Sequence, residues 1–351
     1  MKILVTGGAG FIGSNFLNLL VPRHPEHQFL NIDKLGYASN LHNLSAIEGC
    51  SNYHFARLDL TDVDGVNDCF EREAPDVVVH FAAESHVDRS IKSPTGFIQS
   101  NIVGTFNLLE AFRNASHTPS RFHHVSTDEV YGSLGPEGRF VEDSPYDPSS
   151  PYSASKAASD HLVRAWGRTY GLPFTITNCS NNYGPFQFPE KLIPLMILNA
   201  TEHVALPVYG QGLNVRDWLY VDDHCEAIWT VLEKGQLGET YNVGGDSEKK
   251  NLEVIHEICD IVADLRGEDP ESLRQLITSV TDRPGHDLRY AIDATKLERD
   301  CAWRPRESFH SGLEKTVRWY LDNPAWVESV RTGAYRDWLA TQYATDRSTH
   351  D

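Results

Sequence analysis

Short apolar runs alternate along the first half of the chain with longer stretches in which apolar residues recur every three or four positions. The runs KILVTG, QFLNID, YHFARLD, DVVVHFAA, RFHHVST and FTITNCS are nearly continuous and rich in β-branched and aromatic residues. That suits strands covered on both faces. Between them Phe11–Leu20, Asp64–Glu73 and Thr95–Arg113 carry helical spacing. A repeated strand–helix order predicts an α/β fold: a Rossmann-type, doubly wound parallel sheet whose ligands gather at the carboxyl ends of the strands. After about Gly184 the rhythm loosens. Prolines at 185, 189, 194 and 207 interrupt the chain, and LPVYG, VRDWLYV, TYNVGG and SVTDRPGHD follow at irregular spacing. These shifts divide the chain into a dinucleotide-binding domain over 1–184, a smaller C-terminal α/β substrate-binding lobe over 185–330 that shares some elements with it, and a C-terminal helix and tail over 331–351.

Composition narrows the partners. The 351 residues are 40% hydrophobic, enough for a large core, and carry a net charge of −18. A surface that acidic repels phosphate backbones and anionic lipid, which argues against nucleic acid or membrane as partner. An anionic small molecule would have to be held by a few placed cations. Six scattered cysteines without a CxxC pair suit reduced thiols and a cytoplasmic setting. No apolar run approaches bilayer length, and the first strand pattern begins at once, which leaves no room for a signal peptide.

The first turn carries the first chemistry. TGGAGFIGS follows a strand and opens a helix, with Gly7, Gly10 and Gly13 around Phe11 and Ile12. Bare backbone N–H groups at a helix N-terminus suit a pyrophosphate, and a Cβ there would block it. The second strand ends at Asp33, where a carboxylate can bind both ribose hydroxyls and would repel a 2′-phosphate. NAD rather than NADP is therefore expected, although Lys34 stands beside Asp33. Asp59 either caps the adenine edge or serves as a helix N-cap before Asp62.

PYSASKAAS places Tyr152 and Lys156 one helical turn apart on a single face. An ammonium and a cationic nicotinamide nearby would lower the phenol's pKa, letting Tyr152 accept a proton from an alcohol. Thr127, in the VST end of the fifth strand, can share a hydrogen bond with that alcohol. Together the glycines, Asp33, Thr127, Tyr152 and Lys156 resemble the extended, sugar-nucleotide branch of the short-chain dehydrogenase/reductase superfamily.

The next two residues sharpen this. Asp128 and Glu129 are adjacent carboxylates, which a buried strand has no use for and a hexose epimerase would not need. With STDEVYG, AAESHVDRSI, SNNYGP, FPEKLIP, RDWLYVDDH and DRPGHD in order, the chain resembles the dTDP-glucose 4,6-dehydratase family from residue 1 to about 325. The resemblance implies a NAD-dependent hydro-lyase of deoxysugar biosynthesis, with Glu129 as base and Asp128 as acid. Asp128 would then have to stay protonated near neutral pH, which burial and Glu129 would both favour.

The resemblance further implies Leu60, Ala82, Ala83, Ser100 and Asn182 around the cofactor. It implies Ser85, Asn181, Lys191, Leu192, Pro207, Tyr209, Arg216, Asn251, Arg283 and His286 around the nucleotide sugar, and a homodimer through Thr95–Arg113 and Ser153–Tyr170. Departures are small: LGYASN after Asp33, and Ser100 where threonine is common. A UDP-glucose dehydratase or a UDP-hexose 4-epimerase remains as an alternative, and Asp33 disfavours the NADP-dependent GDP-mannose enzymes. A non-catalytic dinucleotide-binding regulator would not be expected to carry Tyr152, Lys156, Asp128 and Glu129 together. No metal is expected: DDHCE (Asp222 to Glu226) suits an N-cap and an acidic first turn, and His80, His86, His123 and His124 lack metal-ligand spacing.

Overall fold

A computed structural model describes residues 1–282, 284–331 and Gln342. Its strands are β1 (Lys2–Thr6), β2 (Gln28–Asp33), β3 (Tyr53–Arg57), β4 (Val77–His80), β5 (Arg121–Thr127) and β6 (Phe174–Cys179). Then come β7 (Asn181–Tyr183), β8 (Leu206–Tyr209), β9 (Val215–Tyr220), β10 (Thr240–Val243), β11 (Glu248–Lys250) and β12 (Ile277–Val280). Seven of them form one parallel sheet in the order β10-β6-β5-β4-β1-β2-β3. The six apolar runs are its first six strands.

Side-chain alternation divides the core between the two faces of that sheet. Ile3, Val5, Val77 and Val79 pack with Phe16, Leu17, Cys225 and Ile228. Leu4, Val78 and Ile176 pack on the other face with Val66, Phe70, Leu108, Phe112 and Val163. A third cluster, built on Ile193, Met196, Ile258, Leu313 and Tyr320, forms the core of the smaller lobe. The order of the sheet reverses at β1, between β2 and β4, so a crevice opens beyond their carboxyl ends.

The two layers exchange elements. β7 comes before Gly184 but pairs with β9 in a three-stranded sheet. β10 lies far beyond it, yet extends the large sheet by pairing Thr240 with Ile176. The helix Val221–Lys234 likewise returns to the large sheet, where Val221, Cys225 and Ile228 join the first core. The expected C-terminal helix and tail, 331–351, lies outside the described residues apart from Arg331 and Gln342.

One expected helix is not regular. Thr95–Arg113 is α-helical over Thr95–Phe97, widens to a π-helical turn over Ile98–Val103, and returns to α over Gly104–Asn114. Asn101 sits in the widened turn. Its buried amide accepts from the Glu84 N–H at 2.8 Å and donates to the Glu84 carbonyl and the Ser155 hydroxyl, each at 2.9 Å. These bonds come from the loop after β4 and from another helix, so local spacing gave no sign of the widening.

Candidate active site

At the first turn the backbone determines the side chain. Gly7 has φ +73°, and a Cβ there would stand 2.7 Å from the Cα and N of Ala82. A Cβ on Gly13 would meet the Gly7 carbonyl oxygen at 2.5 Å. The helix Phe11–Leu20 opens on Gly10 with no side-chain cap, leaving its first amides for an anion. Asp33 is buried at the end of β2. One of its oxygens accepts from the Ala9 N–H at 3.0 Å, the other from the Leu35 N–H at 2.8 Å and the Ser39 hydroxyl at 3.0 Å. Burial raises its pKa, and those bonds oppose the rise. The cradle therefore fits a dinucleotide on this chain's own geometry.

Lys34 is drawn to Glu84 at 2.9 Å and to the Ser100 hydroxyl at 2.8 Å. Asp59 is not the helix N-cap that was its alternative. It accepts from the Thr61 N–H at 3.0 Å, while Asp62 caps the helix Val63–Glu73 through the Gly65 N–H. The local pattern of two nearby aspartates could not say which one turns into the helix.

At the end of β5 the Thr127 hydroxyl accepts from the Glu129 N–H at 3.3 Å and closes a 3₁₀ turn over Asp128–Tyr131. This local cap turns the two carboxylates out of the strand. Asp128 is buried, with the Thr127 hydroxyl 3.3 Å from its Oδ1. Burial first, and Glu129 second, push its pKa well above the usual carboxylate range. Folding therefore favours the protonated acid: stability is full below the unfolded-state pKa and is lost as pH rises through the higher folded-state one. Asp128→Asn is accordingly expected to melt above wild type at pH 8 by about 1 °C or more, and close to it at pH 4, by calorimetry without ligands.

The helix Pro151–Tyr170 begins on Ser150, which forms a capping box with Ser153. Tyr152 and Lys156 lie on its first two turns, both buried. The lowering expected of the Tyr152 phenol combined Lys156 with the nicotinamide ring, and the chain alone does not supply it. The phenol is not lowered within the chain: burial, then Glu129, raise its pKa well above the usual value, and only Thr127 lowers it appreciably. Lys156 instead donates to the Val125 carbonyl at 2.9 Å and lies 3.4 Å from His124 Nε2.

These groups line one cavity of about 420 Å³, which runs from the glycine turn to His286. Every expected site residue lines it except Arg283, which lies outside the described residues. At its far end the Arg216 guanidinium lies 4.3 Å over the Tyr290 ring and donates to the carbonyls of Val215 and Asp287 at 2.8 and 2.9 Å. The Lys191 ammonium donates to the Ser85 carbonyl at 2.8 Å. Tyr209 reaches Asp88 at 3.2 Å, and His286 pairs with Asp282 at 2.6 Å. Asn182 is engaged by the Ser180 carbonyl and by His224, each at 2.9 Å. Among the described residues, Asp128 Oδ2, Asn181 Oδ1 and Asn251 Oδ1 are buried without a hydrogen-bond partner, an arrangement that suits a polar ligand.

The structure adds residues that the motifs passed over. Glu190 is buried at the cavity wall, accepting from the Tyr37 hydroxyl and Arg89 Nε, each at 2.8 Å. Its one sequence signal was a carboxylate inside FPEKLIP. In DDHCE the helix Val221–Lys234 starts on Tyr220 rather than on an aspartate, and Asp223 holds the backbone N–H groups of Arg306 and Glu307. Among the described residues, His24, Glu26 and His27 form the one cluster with metal-donor spacing; none of the three lines the cavity.

A reversing parallel sheet, a glycine cradle ending at Asp33 and a buried Tyr152/Lys156 pair define an extended short-chain dehydrogenase/reductase. The family profile described as GDP-mannose 4,6 dehydratase matches residues 4–316. A dTDP-glucose 4,6-dehydratase of Neisseria meningitidis is 56% identical over 95% of this chain and 97% of its own. That of Shigella flexneri is 53% identical over 98% and 99%. The dTDP-glucose 4,6-dehydratase of Streptomyces venezuelae, solved with NAD and TYD bound, superposes with a TM-score of 0.87 at 46% identity, covering 94% of this chain and all of that one. The chain belongs to the GDP-mannose 4,6-dehydratase family of sequences and, within it, to the dTDP-glucose 4,6-dehydratases.

Proposed function

We propose that the chain converts dTDP-glucose to dTDP-4-keto-6-deoxyglucose. The observation that carries this reading is Asp128, a buried acid with a raised pKa, set beside Glu129 in the cavity that holds Tyr152 and Lys156. NAD on the glycine turn would accept a hydride from C4 of the sugar and return one at C6. Tyr152 takes the proton of the 4-hydroxyl, with the Thr127 hydroxyl sharing that oxygen. The C4 ketone acidifies the C5 proton, which Glu129 removes. Asp128 protonates the 6-hydroxyl, which leaves as water, and a proton returns to C5. Oxidation and reduction cancel, so the cofactor need not leave between turnovers.

Arg216 supplies positive charge for the diphosphate, with His286 near it; Arg283, outside the described residues, is the second candidate cation, and Lys191 meets the nucleotide. Leu192, Pro207, Tyr209 and Asn251 surround base and ribose, while Ser85 and Asn181 face the hexose. The relatives' names favour thymine. A pocket distinguishes it from uracil by one methyl, worth about 1–3 kcal/mol.

The epimerase reading keeps some support from shape. A UDP-glucose 4-epimerase of Thermus thermophilus, solved with NAD, superposes at a TM-score of 0.82 with 30% identity. The Asp128/Glu129 pair separates the two. Purified protein given dTDP-glucose without added NAD should yield a product lighter by one water, with no net reduced nicotinamide. Conversion to the galactose isomer at unchanged mass would overturn the reading.

We also propose a cytoplasmic homodimer. Ile98, Phe106 and Tyr170, on the two helices expected to pair, are 43%, 41% and 52% exposed. All six cysteines are free, and no helix among the described residues is long and apolar enough to cross a membrane. Light scattering on the purified chain tests the dimer.

A further inference from the structure

Asp160 is fully buried one turn beyond Lys156, and the chemistry above does not use it. Its Oδ1 lies 3.1 Å from His124 Nε2, the same nitrogen that stands 3.4 Å from the Lys156 ammonium. Its Oδ2 accepts from the Ser126 hydroxyl at 2.9 Å, the Tyr146 phenol at 2.8 Å and the Asn178 amide at 3.4 Å. A buried carboxylate with this many donors is built to stay charged. We infer that Asp160, packed against the same His124 nitrogen as the ammonium, is a positioning residue that keeps Lys156 protonated and fixed beside the reacting alcohol. This deepens the role proposed for Lys156 and rests on it.

The surrounding charges agree. Burial lowers the Lys156 pKa, and Asp160 is the first group to oppose that, followed by Cys179 of β6. Burial alone would raise Asp160, but His124, Lys156 and Ser126 outweigh it and hold its pKa below the ordinary value. His124 of β5 is lowered to about 4, by burial and then by Lys156, so its ring is neutral at working pH. Both charges meet it at the one nitrogen, Nε2, which also lies 3.2 Å from the Ser159 hydroxyl. His80 of β4, also facing this group, is held well below its usual pKa by burial and then by His124 and Lys156. Arg164, on the same helix as Asp160, reaches the network through Tyr146 at 3.3 Å. Among the described groups facing Lys156, Asp160 is therefore the one counter-charge in place.

Asp160→Asn tests this with two readouts. The first is titration of Lys156 itself, followed by NMR in protein carrying ¹³C-lysine and assigned by the signal lost in Lys156→Arg. It needs no substrate. The second is the pH profile of kcat with dTDP-glucose. A protonated Lys156 is required, so activity falls as pH rises through its pKa, and loss of Asp160 moves that fall to lower pH. We expect the Lys156 titration to move down, with kcat about tenfold lower on the alkaline limb and little changed near pH 6.

An unmoved titration, or a kcat reduced by the same factor at every pH, would overturn the proposal and leave Asp160 a structural group. If Asp160→Asn does not fold, Lys156→Met with Asp160→Asn decides: removing the unpaired ammonium should restore folding. Failure of that double variant while Lys156→Met alone folds would equally overturn it. A wild type inactive on dTDP-glucose would sink the dehydratase reading, and the Lys156 titration would still decide this one.

Discussion

Glu129→Gln is expected to stop water loss, slowing it by about 10³-fold, while leaving oxidation at C4 intact. A carboxamide cannot take the C5 proton, yet it fills the same space at the turn capped by Thr127. The two carboxylates can be told apart in D₂O. With Glu129 present, C5 exchanges with solvent through the carboxylate, and the wild-type product carries deuterium there. Glu129→Gln should show neither exchange nor elimination. Asp128→Asn should still exchange at C5 but fail to expel water, because the buried proton that the 6-hydroxyl needs is gone. The reverse pattern would exchange the roles of acid and base. The raised pKa of Asp128 supports the present assignment, since burial and Glu129 favour the protonated form that an acid must offer.

How far the sequence carried this reading depends on the range of the interactions involved. Six of the seven strands of the large sheet were legible because apolar runs buried on both faces need no tertiary information to stand out. The glycine turn was legible for a related reason: it is decided by backbone conformation within a few residues. Contacts made at long range left no such trace. The π turn at Ile98–Val103 is held by Asn101 against Glu84 and Ser155, which no spacing within the helix announces. β10 reaches the large sheet from within the 185–330 stretch, and Glu190 finds Tyr37 and Arg89 more than a hundred residues away.

Tyr152 depends on range in the same way. The lowering expected of its phenol rests on Lys156 and the cationic nicotinamide together. What governs it in the chain is burial and Glu129, and the ammonium is turned toward Val125 and His124. A buried phenol made less acidic by its surroundings needs a compensating positive charge before it can serve as a base near neutral pH. The cationic nicotinamide ring is the group expected to provide it. The cost of burial is thus offset only when the site is filled.

Tyr152→Phe should therefore fail at an earlier step than Glu129→Gln. It removes only the oxygen that takes the 4-hydroxyl proton and keeps the ring in the same buried volume, packed at 6.4 Å against Phe97. Folding and NAD binding should survive, with kcat lower by about 10³-fold. The distinguishing observation is whether oxidised hexose accumulates, with exchange at C5 as the check. The C5 proton is acidic only once C4 is a ketone, so Tyr152→Phe should show no deuterium exchange there and should accumulate no oxidised hexose. Glu129→Gln should accumulate that hexose and likewise show no exchange. If Tyr152→Phe still exchanged C5 at the wild-type rate, C4 oxidation would not depend on the phenol. The proton would then have to leave by way of Thr127, Glu129 or Asp128, which also influence Tyr152 in this cavity. If exchange falls with kcat, the order of events is set by the chain itself: the alcohol is opened by the helix that begins at Ser150, and the water is expelled by the turn that ends β5.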